Sequence, residues 1–266
     1  MIWVQQEGRR AVALWLWIVA GLIITMIALG GLTRLTDSGL SMVEWRVVGG
    51  TIPPLNEQQW QEAFDAYRQF PEYQLTRKGM QMDEFKFIFF MEWFHRVFGR
   101  LIGLAFFFPF LYFVAVKKWL TKPFIWRLTG LFLLGGLQGF VGWLMVKSGL
   151  VDKPHVSHYR LVAHLSLALA SLSFSLWYAF KLSFPPQEQV REAMAGMRKP
   201  ALVVAIMLAV QIMGGGMVAG LHGGHSYNTF PRMLGYWLPP AALDFEPMLR
   251  NFLDNPVMLQ CWKCDY

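Results

Sequence analysis

The stretch Phe87-Ile-Phe-Phe-Met-Glu92-Trp-Phe-His95-Arg96-Val-Phe-Gly99-Arg100-Leu-Ile-Gly103 opens an apolar run that continues to Val116. It sets ionisable side chains inside a segment long and apolar enough to cross a bilayer. Each charge at the centre of a membrane helix costs roughly 3 kcal/mol on insertion scales, so such residues face a bundle interior and carry function. At 3.6 residues per turn, Glu92, His95, Arg96 and Arg100 fall on one helical face. Gly99 and Gly103 continue that face with a surface low enough for a flat ligand to approach.

The composition agrees with a membrane chain. Hydrophobic residues make up 55% of the sequence and charged residues only 15%, with a mean hydropathy of +0.35. A soluble domain carries more charge. Apolar runs of bilayer length lie at residues 11–32, 87–116, 124–146, 159–180 and 201–221. The predicted fold is therefore an all-α integral membrane protein: a four-helix transmembrane bundle followed by a fifth span.

Basic residues orient it. Arg9 and Arg10 precede the first span; Lys117, Lys118, Lys122 and Arg127 follow the second; Lys181, Arg191, Arg198 and Lys199 follow the fourth. By the positive-inside rule these segments, with the N-terminus, are cytoplasmic. The connection 33–86 carries six basic and eight acidic residues and belongs outside. The net charge of +7 is thus a topology signal and excludes a nucleic-acid role, since no patch interleaves basic and exposed aromatic residues. The first span is too long for a signal peptide and no Arg- and Ser-rich transit segment precedes it. This points to a bacterial plasma (inner) membrane rather than the mitochondrial inner membrane.

Three regions are expected: residues 1–181, a four-helix half with the outer loop 33–86; residues 182–200, a cytoplasmic-side linker; and residues 201–266, the fifth span and a further outer loop. A weak repeat relates the ends of the first and fifth spans. Gly30-Gly31 is followed by Gly39, and Gly215-Gly216 by Gly224, at the same spacing, as if glycines turn the backbone where each helix ends. The fifth span would then begin a second copy. In the outer loop, Trp60, Phe64 and Tyr67 recur at helical spacing, which reads as an amphipathic cap on the bundle, with a direct substrate role as the alternative. Arg34 and Asp37 suit a local ion pair. Cys261 and Cys264 are the only cysteines, on a terminal tail with no histidine nearby, and read as incidental.

His95 and His164 lie on separate spans, at matched depth from the outer side. Ala168 and Ser171 extend the face of His164 as Gly99 and Gly103 extend that of His95. Two such faces suit axial ligation of a haem iron, although either histidine could instead be a buried residue bonded to a backbone carbonyl. Arg96, Arg100 and Arg160 would meet the haem propionates, with pairing to Glu92 the competing use of Arg96. Glu92, one turn from His95, is placed for proton transfer beside a reacting group; an inert Glu92–Arg96 pair is the alternative. His155, His158, His222 and His225 read as solvated surface, with metal binding or proton delivery second. Gly135, Gly136, Gly139 and Gly142 read first as close helix packing.

These residues carry a resemblance. The stretch 92–100, Gly31-Leu-Thr-Arg-Leu-Thr-Asp-Ser-Gly-Leu-Ser41, Gln138-Gly-Phe-Val-Gly-Trp-Leu-Met-Val-Lys-Ser-Gly149, Arg160-Leu-Val-Ala-His164, Tyr227-Asn-Thr-Phe-Pro231 and Leu249-Arg-Asn251 are similar to haem A synthases of the mitochondrial and proteobacterial form, over almost the whole chain. The resemblance implies two four-helix halves, eight spans in all. It implies oxidation of the haem O methyl group to the formyl group of haem A for terminal oxidase biogenesis. His95 and His164 would hold the substrate haem O, Glu92 would take part in the chemistry, and a haem b cofactor would occupy the second half. Haem O synthase and terminal oxidase assembly factors are the implied partners, beside the lipid bilayer. After Gln260 the family continues into a sixth span with a further histidine–arginine motif, where this chain reads Cys261-Trp-Lys-Cys264-Asp-Tyr266. The expectation is a truncated haem A synthase that lacks the haem b site, self-associates through its unpaired fifth span, and binds haem O without completing its oxidation. The rival reading is a non-enzymatic membrane haem-binding or haem-transfer protein.

Overall fold

The computed structural model describes residues 3–44, 49–149, 156–184, 187–223, 232–233 and 235–261. In chain order the helices are α1 (Arg9–Leu35), α2 (Glu57–Arg68), α3 (Pro71–Thr76), α4 (Met82–Leu111, running on through a π-helical turn to Val116), α5 (Lys122–Gly149), α6 (His158–Ser183), α7 (Glu188–Ala193), α8 (Arg198–Gly220), α9 (Leu249–Asp254) and α10 (Pro256–Cys261). No strand occurs among the described residues, only isolated bridges. Five helices are long and apolar enough to cross a membrane, those built on α1, α4, α5, α6 and α8. The all-α membrane architecture is as expected.

The chain divides into two compact units. One comprises Met1–His155 with Leu167–Pro186, the other Val156–Ser166 with Gln187–Tyr266.

In the first unit α1 packs chiefly against α4. The core joins Val12, Leu16 and Val19 of α1 to Phe106 of α4, Leu128 of α5 and Ala179 of α6. Proline at position 109 cannot donate to the carbonyl four residues back and so orphans Ala105 O inside α4. The Trp15 indole of α1 donates to that oxygen at 2.9 Å, so one side chain satisfies the broken ladder and fixes the helix pair. At this end the N-terminal segment pairs with the turn after α4, through Gln5 N to Trp119 O (2.9 Å) and Thr121 N to Trp3 O (3.0 Å). Arg9 Nε donates to Leu182 O at 2.6 Å. Arg127 and Lys181 stack on the Trp3 ring at 5.0 and 4.8 Å. Basic segments far apart in sequence thus meet at one end of the unit.

The opposite end is capped. Asn56 opens α2 by accepting from Gln59 N at 2.9 Å. Its apolar stripe, Trp60, Phe64 and Tyr67, buries against Phe85, Ile88 and Phe89 of α4. The amphipathic segment is therefore a lid of the bundle. Gln81 and Glu84 form a capping box that starts α4 under it.

In the second unit α8 runs against the first turns of α6. A methyl group at Gly220 would sit 2.5 Å from Cβ of His158, so only glycine fits. Asn251 and Asn255, both fully buried, tie the loop before α9 together: Asn251 Nδ2 donates to Phe245 O (2.8 Å) and Asn255 Nδ2 to Ala241 O (2.7 Å).

The glycine pairs do not turn the backbone. Gly30-Gly31 and Gly215-Gly216 lie inside α1 and α8. The turns come six residues after each second glycine, at Asp37 (φ 48°) and His222 (φ 52°), behind C-caps of nearly identical shape, Thr36 (φ −91°, ψ 0°) and Leu221 (φ −92°, ψ 3°). Both caps donate to the same two carbonyl positions of the preceding turn. The repeat read in the sequence is a repeat of helix ends.

Candidate functional site

Glu92 is 3% exposed and fully engaged. Its Oε2 accepts from the Ser41 hydroxyl and from the Met42 backbone N–H, each at 2.7 Å. Its Oε1 accepts from Arg96 one turn along α4. Three donors on a buried carboxylate stabilise the anion where bare burial would penalise it. Arg96 reaches further, donating to Met42 O at 2.9 Å and to Glu44 O at 3.2 Å. Arg96 thereby fastens the segment after α1 to α4, the competing use noted in the sequence. Arg100 Nη1 donates to Arg96 O at 2.9 Å, extending the cationic row by one turn.

His95 is half-buried against α1. A methyl group at Gly30 would come within 3.3 Å of His95 Cε1 and 3.9 Å of Nδ1. The glycine thus makes the room in which the imidazole lies, a role its placement in a turn motif had hidden. A methyl group at Gly99 would meet Met26 Cε of α1 at 3.3 Å. Gly103 is open, with nothing within 4 Å of such a methyl. Among the described residues the same is true of Gly135, Gly136 and Gly139 in α5.

His164 and Arg160 belong to the second unit, one turn apart on α6, His164 half-buried and Arg160 exposed. The structure groups Glu92, His95, Arg96 and Arg100 on one unit and Arg160 with His164 on the other. Ser171, further along α6, is buried with its hydroxyl turned back to Leu167 O at 2.9 Å. His158 is not solvated surface: its Nε2 lies 3.2 Å from Asp254 Oδ1, its ring lies tilted against that of Tyr159 with centroids 4.0 Å apart, and Tyr159 donates to the same carboxylate at 2.6 Å. His222 is the left-handed residue that ends the α8 turn. His155, His225 and Cys264 lie outside the described residues, and Cys261 closes α10. The expected Arg34–Asp37 pair forms at 2.8 Å.

Among the described residues no three His, Cys, Asp or Glu side chains gather as a metal-ion site. A haem iron needs only axial donors from the protein, and imidazoles beside guanidinium groups are the chemistry that suits it.

Residues 13–262 match the family described as Cytochrome oxidase assembly protein, COX15-CtaA. The "Heme A synthase" of Nitrosospira multiformis is 47% identical over 253 residues, which span 95% of this chain and 71% of the relative. That of Nitrosomonas eutropha is 46% identical over 256 residues, 96% of this chain and 72% of the relative. That of Parvibaculum lavamentivorans is 45% identical over 253 residues, 95% and 72%. The chain belongs to the haem A synthase family. No solved structure matches it.

Membership ties this multi-pass membrane protein to haem and to cytochrome oxidase assembly. Sequence reasoning about the haem A synthase residues missed the partners that reach Glu92 from a distance, Ser41 and the Met42 amide. Ser41 stood at the end of a quoted motif, but nothing in its spacing connects it with a carboxylate 51 positions away.

Proposed function

We propose that the chain acts as a haem A synthase, oxidising the methyl group of haem O to the formyl group of haem A. Haem O is the substrate, with its iron held by His95 and His164. Arg96, Arg100 and Arg160 neutralise its propionates, and Glu92 passes protons beside the reacting methyl group, while the oxygen atom and the acceptor for the four electrons removed are supplied from outside this chain. The observation that carries this reading is Glu92 itself: a buried carboxylate one turn from His95, held in one orientation by three donors.

The protein works in a bacterial inner membrane with its N-terminus cytoplasmic. The meeting of the N-terminal segment, the turn after α4 and Lys181 at one basic end supports that orientation. A haem O synthase supplies the substrate, and terminal oxidase assembly consumes the product.

The test is Glu92→Gln expressed in cells that make haem O, with haems extracted and separated by chromatography. The variant should bind haem as the parent does while conversion falls by about 100-fold or more, the usual contribution of a positioned acid–base group. Parental haem A levels in the variant would reduce Glu92 to a structural partner of Arg96. Haem retained but never converted by the parent would make the protein a haem binder.

A further inference from the structure

The outer cap holds a second buried carboxylate that the reaction scheme above does not use. Glu72 of α3 is 5% exposed, beneath the lid formed by α2. Its Oε1 lies 3.7 Å from Arg77 Nε. The same guanidinium donates from Nη2 to Thr36 O (3.0 Å) and Asp37 O (3.1 Å), the last carbonyls of the α1 turn. That turn is closed internally by Ser38 N donating to Thr33 O at 2.9 Å and by Ser41 N donating to Ser38 O at 3.3 Å. It then delivers Ser41 Oγ and Met42 N to Glu92. Ser38, Ser41, Glu72 and Glu92 are all buried, so one polar seam runs from the cap to the site through protein groups.

We propose that Glu72 and Arg77 are positioning residues for Glu92, fastening from outside the turn Thr36–Met42 that supplies two of its donors. The inference rests on the role given to Glu92 above. Buried polar seams are high in stakes: removing one member leaves its partners unsatisfied and lets the segment open locally.

Protonation should modulate the fastening. Four groups face Glu72: Tyr67 from α2, Arg77 after α3, Asp37 from the turn after α1, and Glu92 from α4. Burial outweighs the attraction of Arg77 and pushes the Glu72 carboxyl up to about 7. Above that pH the ion pair with Arg77 is charged; below it Glu72 is neutral and Arg77 is less firmly oriented.

The experiment uses the full chain and its Glu72→Gln, Arg77→Gln, double and Glu72→Asp variants. Hydrogen–deuterium exchange of the purified proteins is read peptide by peptide, and haem O conversion is followed in membranes across the range around pH 7. Exchange in the Thr36–Met42 peptide should rise about tenfold in each single variant, no further in the double, with α5 peptides unchanged and Glu72→Asp partly restored. Conversion by the parent should fall as the pH drops through about 7, and Glu72→Gln should lack that break. Unchanged exchange at 36–42 in both single variants overturns the proposal, as does a rise spread evenly over all peptides. A parent that makes no haem A while its variants still loosen 36–42 counts against the oxidase reading and in favour of the fastening.

Discussion

A carboxylate inside a membrane span persists when the surrounding groups replace the water it has lost, and Glu92 meets that condition with donors from two elements. Glu72 meets it only in part. Its ion pair with Arg77 is loose at 3.7 Å, and burial raises its carboxyl from 4.5 to about 7. The folded state therefore binds a proton more tightly than the unfolded chain between these values. Stability is greatest while Glu72 is neutral and falls as the pH rises from about 4.5 to about 7, by roughly 3 kcal/mol at the upper end. Glu72→Gln should therefore raise the Tm above the parent's at pH 8 and leave it nearly unchanged at pH 5, read by a thermal melt in detergent. A gain in stability joined to a loss of conversion is the trade expected of a residue kept for its site. A variant less stable than the parent at pH 8 would contradict the assignment of a costly buried carboxylate.

At the scale of elements, the join between α1 and α4 depends on a defect and its repair. Pro109 removes one donor from the α4 ladder, and Trp15 restores it from the neighbouring helix. In a bilayer no water can fill that place. Trp15→Phe, which keeps an aromatic ring but loses the N–H and part of the packed indole, should lower stability by about 1–3 kcal/mol for the buried unpaired carbonyl and by a further packing loss, measurable as a fall in Tm. Replacing Pro109 with alanine in the same chain should recover the part due to the carbonyl, because the ladder then closes on itself. The helix ends at Asp37 and His222 show the same economy: matching turns in α1 and α8 are made by a single left-handed residue after matching C-caps. Asp37 can hold that conformation through its pair with Arg34 at 2.8 Å.

For the whole molecule, the proposed reaction requires histidines that the chain places on different units, His95 with Glu92 and Arg96, His164 with Arg160. If both serve one iron, His95→Ala and His164→Ala should each abolish the low-spin haem spectrum or convert it to a high-spin one, and the double variant should look like either single. Visible absorbance of the purified proteins decides the matter. An unchanged spectrum in both single variants would remove the histidines from the site.

The sequence determined the membrane class, the five spans and the residues worth questioning, because hydropathy and the price of intramembrane charge are local properties written in composition and periodicity. It also marked Trp60, Phe64 and Tyr67 as a buried stripe, since 3.6-residue spacing alone selects the face. Which groups reach Glu92 was a tertiary matter. Ser41 and Met42 lie some fifty positions away and arrive only because Arg96 and Arg77 fold the segment after α1 over α4. The glycine beside His95 was visible as a letter and misread as a turn, because backbone freedom and side-chain clearance look identical in sequence. Only the packing of α1 on α4 decided that the second was needed.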